Sequence, residues 1–240
     1  MERQSDYGNF ETGIGDNHIR QVSFMPTDLN SDLIQQLSER DLTSPFSPIF
    51  GKGGVTSKEI DAIEVQLGFK LPSDMRFLLN HLDDSKNEGF SWKAFELQAY
   101  EEMIEWVKTG IEFDIEHAGN WLTGWGKRPD NVDDAKSIMR RDFATWPRLV
   151  PLFGHRFLVV DPCKSGNPVF SIMQTDIIYY GSNLGSYLIN EFLGRRPEQE
   201  DWFPEEYIPI WHDFAAQSEG FLTQNADPAG DFSKKVRGVE

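Results

Sequence analysis

The chain of 240 residues has one cysteine, Cys163. That excludes an intramolecular disulfide and a cysteine-built zinc site, and fits a protein that needs no oxidising compartment. No run approaches the roughly 18 to 20 apolar residues that span a bilayer, and the start, MERQSDYGNFETG, lacks the apolar stretch of a signal peptide. A cytoplasmic address without membrane contact is expected. Basic charge is scarce as well: 23 Lys and Arg face 39 Asp and Glu, a net charge of −16. Such a chain repels phosphate backbones and anionic lipid, so nucleic acid is not an expected partner.

Catalytic signatures are also missing. There is no HExxH, no GxSxG and no GxxxxGK, since GKGGVTS has the wrong spacing. Ser171 reads as a strand residue and Cys163 as a plain loop thiol. The best polar grouping with chemical potential is Glu116-His117 with His155, Arg156 and Asp176. If their segments adjoin, two imidazoles and two carboxylates would make a polar pocket for a metal or a proton. Groups at turns and strand ends more often tie down loops, and neither a metal nor another cofactor is expected, nor an enzyme.

What is present in quantity is aromatic: 18 Phe, seven Trp and six Tyr, enough for a packed body. Residues 1–54 read as a partly ordered extension, polar and turn-rich, with one short helix beginning near Asp28 or Asn30 and carrying Leu33, Ile34 and Leu37. Thr56 and Glu59 form a capping box ahead of Ile60, Ile63 and Leu67, and Gly68 supplies a left-handed stop. Leu71-Pro72-Ser73-Asp74 opens a second helix with Met75, Leu78, Leu79 and Leu82 on one stripe. Tyr100, Met103, Ile104 and Val107 mark a third, beside which Trp106 is expected to be partly buried.

After Gly110 the period switches to two in IEFDIEH. This predicts a strand with Ile111, Phe113 and Ile115 on one side and Glu112, Asp114 and Glu116 on the other. A tryptophan-rich loop, NWLTGWGKRP, precedes a helix from about Val132 that turns Ala135, Ile138, Met139 and Phe143 inward and stops at Pro147. Strands follow at Leu149 to Phe153, Phe157 to Asp161, Val169 to Met173 and Ile177 to Tyr180. Their short connections favour antiparallel pairing. Asn183 then caps a helix carrying Leu184, Leu188 and Phe192. YIPIWHDF belongs to the body, and residues 216–240 read as a mobile tail. The fold class is α+β, a central, mainly antiparallel sheet with helices packed around it.

The opening VTSKEIDAIEVQLGFKLPSDMRFLLNHL resembles that of the SUKH superfamily, through Thr56, Ile60, Glu64, Leu67, Gly68, Leu71 and Pro72. WGKRP, LVPLFGHRFL, GNPVFS, QTDIIYYG and IPIWHDF extend the resemblance to residues 55–215, in the manner of one bacterial branch. It implies an α+β domain that acts as a binding module. Relatives include bacterial immunity proteins that neutralise toxins and a fungal regulator of glucan synthesis. The expected partner is therefore a protein, most concretely a basic toxin domain held by occlusion; one alternative is a regulatory scaffold of envelope or signalling pathways, and a second is an uncharacterised ligand- or metal-binding enzyme that uses His117, His155, Arg156 and Asp176. Glu112, Asp114 and Glu116, with Trp121 and Trp125 beside them, are the expected partner-binding residues, because charge steers encounter and buried indoles slow release. The chain's oligomeric state is not legible.

Overall fold

Caps set the limits of the helices. The computed structural model describes residues 29–40, 47–87, 89–195 and 207–218. The first 28 residues of the expected extension, the acidic run from Glu198 to Glu206 and the expected tail beyond Ser218 lie outside them. Asn30 accepts from the Leu33 amide at 3.0 Å and starts α1, Ser31–Ser38. Thr56 and Glu59 close their capping box at the head of α2, Ser57–Leu67, and Gly68 ends it in the left-handed region at φ 75°. Pro72 stands just ahead of α3, Ser73–Asn80. Leu82, expected on that helix, instead lies buried in β2, Leu82–Asp83, which pairs antiparallel with β1, Ile49–Phe50.

The predicted third helix and the predicted strand after it are one element. α4, Leu97–His117, runs 21 residues straight through Gly110. Ile111 and Ile115 are one helical turn apart and continue the buried stripe that Val107 begins, so the helical spacing serves the core better than alternation does. Gly110 is not a stop. A side chain there would meet the Gln174 Cα at 3.2 Å, so the glycine lets the turn after β5 cross the helix closely. α5, Val132–Phe143, follows with Asn131 capping the Asp133 and Asp134 amides.

The sheet is an antiparallel meander of β3 Leu149–Pro151, β4 Arg156–Val159, β5 Val169–Met173 and β6 Asp176–Gly181, in that order. α6, Leu184–Leu193, is capped by Asn183 and Ser186, and α7 is Trp211–Ser218. Because strand side chains alternate, the sheet feeds two cores. Val150, Leu152, Leu158 and Val160 enter one with α1, α2, α3 and α6. Leu149, Phe157, Val159, Phe170, Ile172 and Ile177 enter the other with α4, α5 and α7. The fold is thus α+β, helices on an antiparallel sheet. No helix among the described residues is long and apolar enough to cross a membrane.

Three buried carboxylates fasten the layers. Glu64 accepts from Lys70 Nζ at 2.6 Å, the Leu71 amide at 2.9 Å and Arg76 at 2.7 Å, which pins the loop between α2 and α3. Asp84 takes the Ser91 hydroxyl and the Trp92 and Lys93 amides and so holds Trp92 in place, with its indole N–H donating to the Pro151 carbonyl at 2.9 Å. Glu112 joins α4 to Arg140 of α5. β3, an edge strand, is left with few free groups. Trp92 occupies the Pro151 carbonyl, Tyr100 donates to that of Leu149 at 3.2 Å, and Pro151 has no N–H.

Burial pulls the Glu64 pKa upward, but Lys70, the Leu71 amide and Arg76 outweigh it and hold the carboxyl below its ordinary value. A lowered native pKa adds stability above the unfolded pKa, and that stability disappears as pH falls through the native value. Glu64→Gln is therefore expected to cost about 2 kcal/mol at neutral pH. Urea titrations should show the gap from the parent protein closing below about pH 4.

Candidate functional site

Helical geometry redistributes the residues expected to form one acidic, partner-binding strand. On α4, Glu112 and Glu116 lie one turn apart on one side and Asp114 faces another. All three have partners within the chain. Arg140 grips Glu112 through two nitrogens, with its Nη2 at 2.6 Å, and also reaches Glu105 at 2.9 Å. Glu112 is the most buried of the three, and its pairing raises the Arg140 pKa further. Lys136 pairs with Glu116 at 2.7 Å, which lowers the Glu116 pKa. Asp114 accepts the Thr175 amide at 3.0 Å and its hydroxyl at 2.5 Å, tying α4 to the β5–β6 turn.

Trp125 ends a single 3-10 turn, Thr123–Trp125, and Trp121 stands two residues ahead of it; both are half-buried. Their rings meet edge to face at 4.9 Å. Trp125 then stacks on Trp146 at 5.6 Å and touches Phe214 at 5.7 Å. The loop braces α7 against the end of α5, and the Trp121 indole N–H is held by the Gly126 carbonyl at 2.9 Å.

The expected polar pocket does not assemble among the described residues. His117 ends α4, exposed and stacked on Phe113 at 4.1 Å. Asp176 is exposed opposite Met173, whereas Arg156 pairs with Ser171. Arg156 lies over the Tyr180 ring at 3.8 Å and stands 3.6 Å from Glu191 of α6. Next to it, burial and the Arg156 charge lower the His155 pKa. No hydrogen bond or ion pair among the described residues links His117 or Asp176 to His155 or Arg156. Nor do the described residues contain a group of three or more His, Cys, Asp and Glu side chains arranged to hold a metal. Cys163 is exposed, its thiol 3.5 Å from the Lys70 carbonyl.

Sequence reasoning missed what α4 shows to solvent. Trp106 is 42% exposed and Phe113 48%. They are seven residues apart, two turns of helix, and so share a stripe with Glu102, Thr109 and His117, all exposed. On one side of the stripe lie the Arg140 and Lys136 pairs of α5. On the other, the β5–β6 turn crosses at Gly110 and Asp114. The strand reading puts Phe113 on one side with Ile111 and Ile115. A helix rotates about 100° per residue, so it swings a residue two positions from a buried one well away from the core. The available signal was the continuity of helical spacing from Met103 through Ile115.

No family model, curated protein or solved structure matches the chain. Fold and surface together define an α+β protein with an aromatic helix face rimmed by carboxylates.

Charge reversal at the three carboxylates acts on folding first. Glu112→Lys places like charge against Arg140, and a destabilisation of at least about 2 kcal/mol is expected from the lost charged hydrogen bonds alone. The urea midpoint should fall clearly for Glu112→Lys and only slightly for Glu102→Lys, whose carboxylate is exposed.

Proposed function

We propose that the chain is a non-catalytic binding module of the SUKH kind, an immunity-type protein that neutralises a basic toxin domain by covering it. The observation that carries this reading is the solvent face of α4. Large apolar side chains are scattered singly over most surfaces, but Trp106 and Phe113 share one stripe and sit among carboxylates. An aromatic pair inside a charged rim is the composition of an interface hot spot. The net charge of −16 adds long-range attraction for a cationic partner and speeds encounter. Occlusion requires no catalytic group, only a surface that fits. The sequence resemblance supports the same class of activity.

The surface differs from the one expected from sequence. Glu112, Asp114 and Glu116 act as struts, and Trp121 and Trp125 as braces, so the contact is reassigned to Trp106 and Phe113 with Glu102 at their N-terminal end. Strand addition at β3 is disfavoured by its occupied carbonyls.

The test is affinity purification of the tagged protein from its native cell at low and high salt, beside the double variant Trp106→Ala, Phe113→Ala. One basic partner held by the parent, weakened by salt and lost from a folded double variant, is the expected result. Undiminished retention by the double variant would place the interface elsewhere, and recovery of envelope or signalling proteins instead would favour the regulatory scaffold.

A further inference from the structure

We infer that α4 seats an arginine side chain of its partner over Trp106 and against Glu102, while Phe113 receives an aliphatic side chain two turns along. This rests on the α4 surface being the interface, and it adds the chemistry that the surface selects.

Trp106 lies nearly parallel to Phe157, ring centres 6.4 Å apart at 15°. Phe157 is fully buried, so the indole is anchored on its core side by an offset parallel ring while part of it stays in solvent. The ring is thereby held at a fixed angle before any partner arrives, which reduces the ordering cost of binding. Indole is the strongest aromatic acceptor for a cation placed over its face.

The carboxylates around it are not equivalent. Glu105 is neutralised by Lys108 at 2.9 Å and by Arg140, and Glu116 by Lys136. Glu102 makes a single neutral contact, accepting from the Gln98 amide at 2.9 Å, and no cation among the described residues pairs with it. Negative charge without a counter-charge is thus concentrated at the N-terminal end of the stripe. Glu102 precedes Trp106 by four residues, so the two side chains are neighbours on one face. A planar cation over the indole is then also within reach of a carboxylate oxygen.

Arginine matches both demands at once. Its guanidinium stacks on aromatic faces, donates in a fork that suits a carboxylate and is easier to dehydrate than an ammonium. Lysine supplies the charge without the plane. At the other end, Phe113 already stacks with His117 on one side, and no uncompensated carboxylate stands beside it. That end suits an apolar group. Thr109, exposed between the two rings, is short and leaves room for the partner's backbone. The partner therefore presents an arginine and a leucine-sized side chain about 10 Å apart, which is the spacing of positions i and i+7 on a helix.

A synthetic capped helical peptide with Arg and Leu seven residues apart in an Ala and Gln background tests this. Its companion carries citrulline, the neutral isostere, in place of Arg, and a third carries Lys. Each is titrated into 15N-labelled protein while the α4 amide shifts are followed. The Arg peptide should bind at α4, with the citrulline peptide about tenfold weaker and the Lys peptide in between. Glu102→Gln, at an exposed position that leaves the core untouched, should lower affinity for the Arg peptide and remove most of the preference over citrulline. Trp106→Phe should weaken all three. Equal binding of Arg and citrulline peptides, shifts confined to another surface, or no binding at millimolar peptide would overturn the inference. If the peptides fail while the Trp106, Phe113 double variant still loses the natural partner, only the arginine chemistry falls. If that variant keeps its partner, the α4 interface falls as well.

Discussion

Side chains of the antiparallel sheet leave alternately toward opposite faces, and both faces are apolar. Every other feature follows from the need to cover them. A four-stranded sheet with Val150, Leu158 and Val160 on one side and Phe157, Val159 and Ile172 on the other cannot stand with either side in water. The short helices α1, α2, α3 and α6 close the first face. One long helix, with α5 and α7, closes the second. α4 must therefore lie across the sheet at a fixed height, and the polar contacts that hold it, Asp114 to Thr175 and Glu112 to Arg140, are made by residues that look like free surface charge in the sequence.

Local chemistry was legible where one residue decides the backbone. Asn30, Thr56 with Glu59, Gly68 and Asn183 marked helix ends that the structure keeps, because a cap is satisfied within a few residues and needs nothing from the rest of the fold. The four strands and their antiparallel order were legible for a similar reason, since their connections are too short for crossovers. IEFDIEH was not. Ile111, Phe113 and Ile115 satisfy a period of two, while Ile111 and Ile115 alone satisfy a helical one, and seven residues cannot separate the two readings. The deciding fact is tertiary: Gly110 is glycine because Gln174 passes over it.

The candidate surface was obscured by that same ambiguity. On a strand, Phe113 falls inside and the acids fall outside; on a helix, the aromatic ring is in solvent and Glu112 is nearly sealed. Charge counted along the chain registers how many carboxylates there are, not which of them already have a cation. Only after Lys108, Lys136 and Arg140 are placed does the acid divide into a structural part and an available part. Of the available part, Glu102 lies one helical turn before the exposed Trp106 ring.

Edge strands ordinarily invite other chains to add to the sheet. Here Trp92 and Tyr100 consume the outward carbonyls of β3, and Pro151 removes an amide, while at the far edge the Ser218 hydroxyl bonds both the Thr175 carbonyl and the Ile177 amide. The sheet is finite by construction. A strand from another chain could add at β3 only by first displacing the Trp92 and Tyr100 contacts.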